Sequence, residues 1–263
     1  MLELINTSLR LAVTPQGLTL ARTRRWGGEG FTVLAEQALS PGELLAPERL
    51  LTTLHSMAQG QVRAGLALHV VLADELTRMW QITPPQGAAR LADLEAACAL
   101  RFYTLYGEPL TGWRMAADWN ADAPFFAAAL PAPMFGALEQ FAATEKLRLV
   151  SAAPQFVHAW NRWSKHLDAG AWFAVVQGER VSFGVNDARR LQAVRSLALP
   201  AGADLAWLEQ QCAREALRLN VEAPSRIQVC GQAPQAWLDN ASAALRCERL
   251  DQARRGLAPL SSG

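Results

Sequence analysis

A short group of residues near the start of the chain carries the side chains that phosphate chemistry uses. Glu3 is an acid, Ser8 has a hydroxyl group and small polar residues before it, and Arg10 is a base. Carboxylates can hold Mg²⁺, while hydroxyl groups, backbone N–H groups and cations can contact phosphate oxygens. The spacing is compatible with a phosphate-binding turn. Taken alone, however, Glu3 and Arg10 are more simply interpreted as solvated strand residues.

The other polar clusters favour structural roles over chemistry. Asp74 and Glu75 have no histidine or further acid at a useful spacing, so a polar turn is a better interpretation than acid–base catalysis. His158 and His166 have two tryptophans between them, which favours a packed amphipathic helix over a metal site. No Ser-His-Asp or Gly-x-Ser-x-Gly arrangement is present, so we predict no catalytic residue and no metal ligand.

The composition is that of a folded protein without a strongly charged partner. Of 263 residues, 51% are apolar and 19% charged, which excludes long disorder. A formal charge of +1 argues against nucleic acid as the main partner. No apolar run is long enough to cross a bilayer, and no signal-peptide pattern opens the sequence. The four widely spaced cysteines predict buried thiols in a reducing compartment, so we expect a cytoplasmic protein.

The spacing of apolar residues predicts the same order of elements twice, first a strand meander and then helix, strand, helix. The segment Asp168-Ala169-Gly170 is the best candidate for a junction between the two rounds. The predicted strands are a hairpin over 9–22 and strands at 31–37, 66–72, 75–82, 113–119, 125–130, 147–152, 172–177, 181–185, 191–199 and 226–230. The predicted helices are 47–59, 91–106, 133–146, 154–167, 204–219 (with Asp204 as N-cap) and 234–245.

This repetition is the duplicated layout of the actin-like, or ribonuclease H-like, α/β fold. We therefore expect two halves, each with a sheet backed by helices. The first domain is predicted to span residues 1–167, with a small inserted α/β subdomain at about 84–131. The second domain is predicted to span residues 168–263.

Five segments in order extend this to a family resemblance. Residues 69–84 are similar to the strand pair that precedes the inserted subdomain of actin-like assembly proteins of type IV pili and type II secretion. Asp93-Leu94-Glu95-Ala96 resembles the start of their next helix. Three further pieces follow in the order found in that family: residues 147–156, the hairpins of the second half, and residues 195–202. The chain thus resembles the PilM type, its MSHA-pilus counterpart and the cytoplasmic domain of the GspL type.

The resemblance also marks where this chain departs from actin-like ATPases. Their opening phosphate loop has an acid, an apolar residue, a Gly, small hydroxyl residues and a Lys, and Glu3–Arg10 is similar to it except that Ile5 replaces the Gly. A β-branched side chain there obstructs the approach of backbone N–H groups to a phosphate.

Two further nucleotide motifs are eroded in the same comparison. The second phosphate loop, Asp-x-Gly, is expected near residues 173–176, which contain no acid and no Gly. The adenosine-side Gly-Gly pair is expected near residues 229–233, where a single Gly remains. The degenerate remnants that the resemblance identifies are Glu3, Ile5, Ser8 and Arg10 on the phosphate side and Gly231 on the nucleotide side. The resemblance implies loss of ATP hydrolysis and no bound cofactor.

The function that follows is a non-catalytic cytoplasmic scaffold of a pilus or secretion assembly platform. The resemblance implies a PilN-like partner, the cytoplasmic segment of a bitopic inner-membrane protein, and peripheral membrane association through that partner. Two alternatives stay open: an active actin-fold ATPase or sugar kinase, and a free-standing cytoplasmic regulator with the same fold. The sequence predicts no direct membrane insertion and leaves the oligomeric state and the residues of the partner groove undetermined.

Overall fold

The computed structural model of the chain describes residues 7–24, 31–187, 190–239 and 244–250. The chain divides into two compact units, residues 1–154 and 155–263, which we describe separately. The domain boundaries predicted from the sequence stay predictions. Glu3 and Ile5 lie outside the described residues.

The first unit contains eight strands and four helices among its described residues. The strands are β1 Thr7–Thr14, β2 Gly17–Arg24, β3 Phe31–Ala38, β4 Ala67–Leu72, β5 Arg78–Ile82, β6 Trp113–Ala117, β7 Phe125–Pro131 and β8 Arg148–Pro154. The helices are α1 Pro41–Leu44, α2 Pro47–Ala58, α3 Leu91–Tyr106 and α4 Ala132–Thr144.

Five of these strands form one mixed sheet in the order β3-β2-β1-β4-β8. The hairpin β1–β2 is antiparallel, β3 continues the meander, and β4 and β8 run parallel to β1. The alternation of Leu9, Leu11 and Val13 places all three on one face of β1, where they are fully buried in the core of the unit. Helices α2 and α4 contact each other and cover this apolar face.

A smaller sheet in the order β5-β7-β6 completes the first unit. Helix α3 packs on it through Leu94, Cys98 and Phe102, against Trp80 and other apolar residues of the strands. Strand β5 belongs to this small sheet, so the sheet takes in residues before position 84, where the inserted subdomain was expected to begin.

The second unit repeats the main sheet of the first. Its strands are β9 Trp172–Gln177, β10 Arg180–Asp187, β11 Arg190–Ala198, β12 Arg226–Gly231 and β13 Arg246–Arg249. Its helices are α5 Gln155–Trp163, α6 Leu205–Leu219 and α7 Gln235–Asp239. The strand order β11-β10-β9-β12-β13 repeats the antiparallel meander followed by two parallel strands.

Several predicted elements of the second unit agree with the structure, and one differs. Asp204 caps α6 as predicted, because its carboxylate accepts a hydrogen bond from the N–H of Trp207 at 2.9 Å. The helix predicted over 234–245 is helical at residues 235–239. Its residues 240–243 lie outside the described residues, and Leu245 precedes the extended strand β13. Strand β13 was not predicted, because its sequence, Arg-Cys-Glu-Arg, has one apolar position and no clear alternation.

Candidate functional site

The carboxyl ends of the parallel strands are the place to look for a ligand site, because open α/β sheets bind ligands there. In the first unit, Val13 of β1 pairs with Leu72 of β4, and the N–H of Ala73 donates to the Val13 carbonyl at 2.8 Å. The β1–β2 turn, residues 14–17, and the segment that follows β4 therefore lie together at the carboxyl ends of the parallel strands.

The β1–β2 turn has little capacity to hold a phosphate. Its sequence is Thr14-Pro15-Gln16-Gly17, with no acid and no base. Pro15 has no N–H group to offer, and the Thr14 hydroxyl donates to the Gly17 carbonyl at 3.2 Å. Gly17 is required by packing, since a Cβ there would lie 2.2 Å from the Gln37 carbonyl oxygen. Among the described residues, this turn joins the first two strands of the fold.

The two described residues of the predicted phosphate-loop remnant lie inside a strand. Ser8 and Arg10 belong to the continuous strand β1, which is the first strand of the hairpin predicted over 9–22. The Ser8 and Thr23 hydroxyls hydrogen-bond across the β1–β2 ladder at 2.7 Å. The continuous pairing of β1 with β2 and β4 leaves no bend at these positions. Whether either residue ever contacts a nucleotide stays a prediction.

A row of polar side chains crosses the first sheet on the face opposite the core. Arg10 of β1 pairs in register with His69 of β4, and His69 pairs with Ser151 of β8. The His69 Nδ1 and the Ser151 hydroxyl are 2.9 Å apart, and Arg10 is 7% exposed. Burial, and then the charge of Arg10, lower the pKa of His69. The neutral imidazole is therefore favoured beside the guanidinium.

The acidic pair after β4 forms a turn. Asp74 and Glu75 open a 3-10 turn that ends at Leu76, and the hydroxyl of Thr77 donates to the Asp74 carbonyl at 2.9 Å. Leu76 packs against the core of the first unit. The geometry is that of the polar turn predicted from the sequence.

The first hairpin of the second unit has a turn of the same length as the β1–β2 turn. Gln177 pairs with Arg180, so two residues, Gly178 and Glu179, make the β9–β10 turn. Residues 173–176, where the resemblance places the second phosphate loop, lie in the interior of β9, which matches the strand predicted over 172–177, and all four side chains are buried. These residues are uniformly apolar and pair with strands on both sides, which prevents them from forming a loop.

Gly231 ends strand β12 beside β9. It pairs with Val176 and has φ +88°, a conformation that side chains disfavour. It lies at the carboxyl end of a parallel strand, and the backbone of Val176 occupies the space that a Cβ at position 231 would take. Its assignment as a nucleotide-side remnant stays a prediction.

Two features, a metal-binding cluster and a membrane-spanning helix, are absent from the part of the chain that the structure describes. It contains no group of three or more His, Cys, Asp or Glu side chains that could hold a metal ion. None of its helices combines the length and the apolar character needed to span a membrane.

Among the described residues, no strand pairs with the outer edge of β8, a feature that was not predicted from the sequence. β8 ends the main sheet of the first unit and also contacts β7 of the small sheet. The pairing of β4 with β8 is irregular, because Leu68 pairs with Leu149 and His69 with Ser151. The residue between them, Val150, has no partner in this register and is 55% exposed. The sequence did not indicate this exposure, because Val150 is one of several apolar residues in the strand predicted over 147–152.

Solved structures share this arrangement, whereas no protein-family model and no curated protein matches the chain. A Bacteroides thetaiotaomicron protein described as having an actin-like ATPase fold and unknown function is 10% identical, with a TM-score of 0.62 over 95% of this chain and 92% of that one. The cytoplasmic domain of EpsL, an inner-membrane component of the Vibrio cholerae type II secretion system, is 11% identical, with a TM-score of 0.59 over 94% and 91%.

A third solved structure is a PilM–PilN type IV pilus biogenesis complex. Its matching chain is 14% identical, with a TM-score of 0.61 over 93% of this chain and 88% of that one. Identities this low show the fold, and the fold is actin-like, as the repeated order of elements predicted. The resemblance to pilus and secretion assembly proteins is confirmed at this level.

Proposed function

We propose that the chain is a non-catalytic scaffold of a type IV pilus or type II secretion-like assembly platform. It binds the cytoplasmic segment of a bitopic inner-membrane protein of the PilN kind and reaches the membrane through that partner. The observation that carries the proposal is that the two hairpin turns lack the full set of groups that phosphate chemistry uses. Neither Thr14–Gly17 nor the Gly178-Glu179 turn offers the combination of acid, hydroxyl groups and free N–H donors that phosphoryl transfer requires.

The similarity to a PilM–PilN complex supports the choice of partner. The described surface offers a matching physical feature in the free edge of β8. An edge strand presents unpaired N–H and C=O groups to which an extended peptide can add as a further strand. Val150 is an exposed apolar residue of this edge strand and supplies an apolar contact for the peptide.

An active ATPase or sugar kinase on the same fold is the alternative that the turns disfavour. Addition of Mg-ATP is expected to leave the melting temperature and the phosphate release of the purified protein unchanged. A nucleotide present at 100 times its Kd would stabilise the folded state by about 2.7 kcal/mol, which a thermal shift detects readily. A shift or phosphate release that EDTA abolishes would contradict the proposal.

The proposed binding of the partner peptide to the edge of β8 is tested by titration. The labelled peptide covers the cytoplasmic segment of the PilN-type protein of the same genome. Val150→Lys should weaken binding about tenfold or more, equivalent to about 1.4 kcal/mol, because it places a charge beside apolar contacts. Val33 of β3 is the matched control, since it is 40% exposed and lies on the opposite edge strand of the same sheet. Val33→Lys should bind normally, and equal effects of the two substitutions would refute the assignment to β8.

A further inference from the structure

The turn between helix α4 and strand β8 has a lysine at a position where the backbone favours glycine. Lys146 has φ +55°, in the left-handed region. Its N–H donates to the Ala143 carbonyl at 3.1 Å, and the N–H of Leu147 donates to the Ala142 carbonyl at 2.7 Å. These are the two hydrogen bonds of a Schellman motif, in which the left-handed residue is usually glycine because a side chain is strained there.

Two other helices of the chain follow this preference. Helix α3 ends at Gly107 and α6 at Asn220, both left-handed, and these residue types adopt that conformation most easily. Lys146 and Asn220 are the only described residues other than glycine with positive φ. A cation near the end of a helix interacts favourably with the helix dipole, but it needs no left-handed backbone to do so. Strain kept at this one position indicates that the lysine side chain has a use.

A second exposed cation, Arg148, begins strand β8. Its Nε donates to the Gly65 carbonyl at 3.3 Å, and the N–H of Gly65 donates to the Lys146 carbonyl at 2.8 Å. The first bond orients the guanidinium and leaves its terminal nitrogens to donate elsewhere. None of the ion pairs between described residues includes Lys146 or Arg148. The neighbouring acid, Glu145, is paired with His55 at 2.7 Å.

Lys146, Arg148 and the apolar Val150 are exposed at alternate positions along the edge of β8. Two cations beside an apolar residue are complementary to an extended peptide that has both an apolar and an acidic side chain. We propose that Lys146 and Arg148 bind an acidic side chain of the peptide that adds to β8, an inference that rests on the proposed function. Because paired strands place residues opposite one another, this acid lies about two to four residues from the apolar residue that contacts Val150.

Titration of the labelled PilN-type peptide tests the charge pairing. Binding should weaken as salt rises from about 0.05 M to about 0.5 M. Arg148→Glu should weaken binding about tenfold, and a peptide in which the acid is changed to Lys should restore it. If Val150→Lys weakens binding but salt and Arg148→Glu do not, or if the peptide has no Asp or Glu, this proposal alone is overturned. No binding of the peptide to the wild type would overturn the proposed function as well.

Lys146→Gly separates a binding role of the lysine from a structural one. The variant should raise the midpoint of urea unfolding, because glycine relieves the strain, and yet weaken peptide binding about threefold or more. Asn220→Gly is the matched control, since it changes a left-handed helix end in the second unit and should leave binding unchanged. A lower urea midpoint or unchanged binding for Lys146→Gly would overturn the proposal. Flotation of the wild type, but not of Arg148→Glu, with bare anionic vesicles would assign the cations to lipid headgroups and overturn it too.

Discussion

Gly231 lies so close to the backbone of Val176 that a Cβ at position 231 would be 2.1 Å from the Val176 carbonyl oxygen. The N–H of Gln232 donates to the same oxygen at 3.0 Å, which holds the ends of β12 and β9 together. The glycine that the sequence marked as a nucleotide-side remnant thus has a packing role. The structure accounts for it without a ligand.

We expect Gly231→Ala to destabilise the protein by about 3 kcal/mol, since the clash with backbone adds to the cost of a positive φ. Gly178→Ala is the matched control. Gly178 also has positive φ, +53°, but a Cβ there meets no heavy atom within 4 Å. Its substitution should cost about 1 kcal/mol. Urea unfolding of both variants measures the difference, and equal costs would show that the close approach is unimportant.

His69 should make the stability of the protein depend on pH. Its pKa is lowered by burial and by Arg10, so the unfolded chain binds a proton more readily than the folded one. The contribution is therefore complete above the unfolded pKa of about 6.5 and is lost as pH falls below it. His69→Gln removes the titrating group while keeping a polar partner for Ser151. The wild type should lose more stability than this variant between about pH 7.5 and 5.5, and parallel unfolding curves would contradict the effect.

The thiols should be largely unreactive in the folded protein. Burial raises the pKa of Cys98 to about 11 and the pKa values of Cys212 and Cys247 to about 12, so little thiolate exists at neutral pH. In a titration with a thiol reagent, at most one cysteine, the partly buried Cys230, should react quickly. All four should react in urea. Rapid labelling of two or more cysteines without denaturant would conflict with this packing.

The sequence was informative where apolar spacing determines structure. The helix predicted over 91–106 begins and ends where α3 does, and the hairpin over 9–22 corresponds to β1 and β2. In both, the buried side chains recur at the period of the element, every three or four residues in the helix and every second residue in the strand. The order of these elements was enough to predict the fold.

The site was harder to predict, because the position of a turn depends on pairing between distant strands. Ser8 and Arg10 have the residue types of a phosphate loop, yet the register of β1 with β4 places them in mid-sheet. Val150 is exposed at an irregularity in the pairing of β4 with β8, which no local pattern reveals. Leu100 and Tyr103 belong to a helix that was predicted correctly, but their exposure depends on which face of α3 meets the small sheet.

Recruitment to vesicles is the most direct test of the proposed scaffold function. Purified protein is mixed with liposomes that carry anionic lipid alone, or the same lipid with the lipid-anchored cytoplasmic peptide of the PilN-type partner, and bound protein is separated by flotation. The near-neutral net charge of +1 gives little electrostatic attraction to a bare anionic surface. We predict that the protein floats only with the peptide-bearing vesicles and that Val150→Lys prevents this while Val33→Lys does not. Equal binding to bare vesicles, or no binding to either kind, would contradict the account.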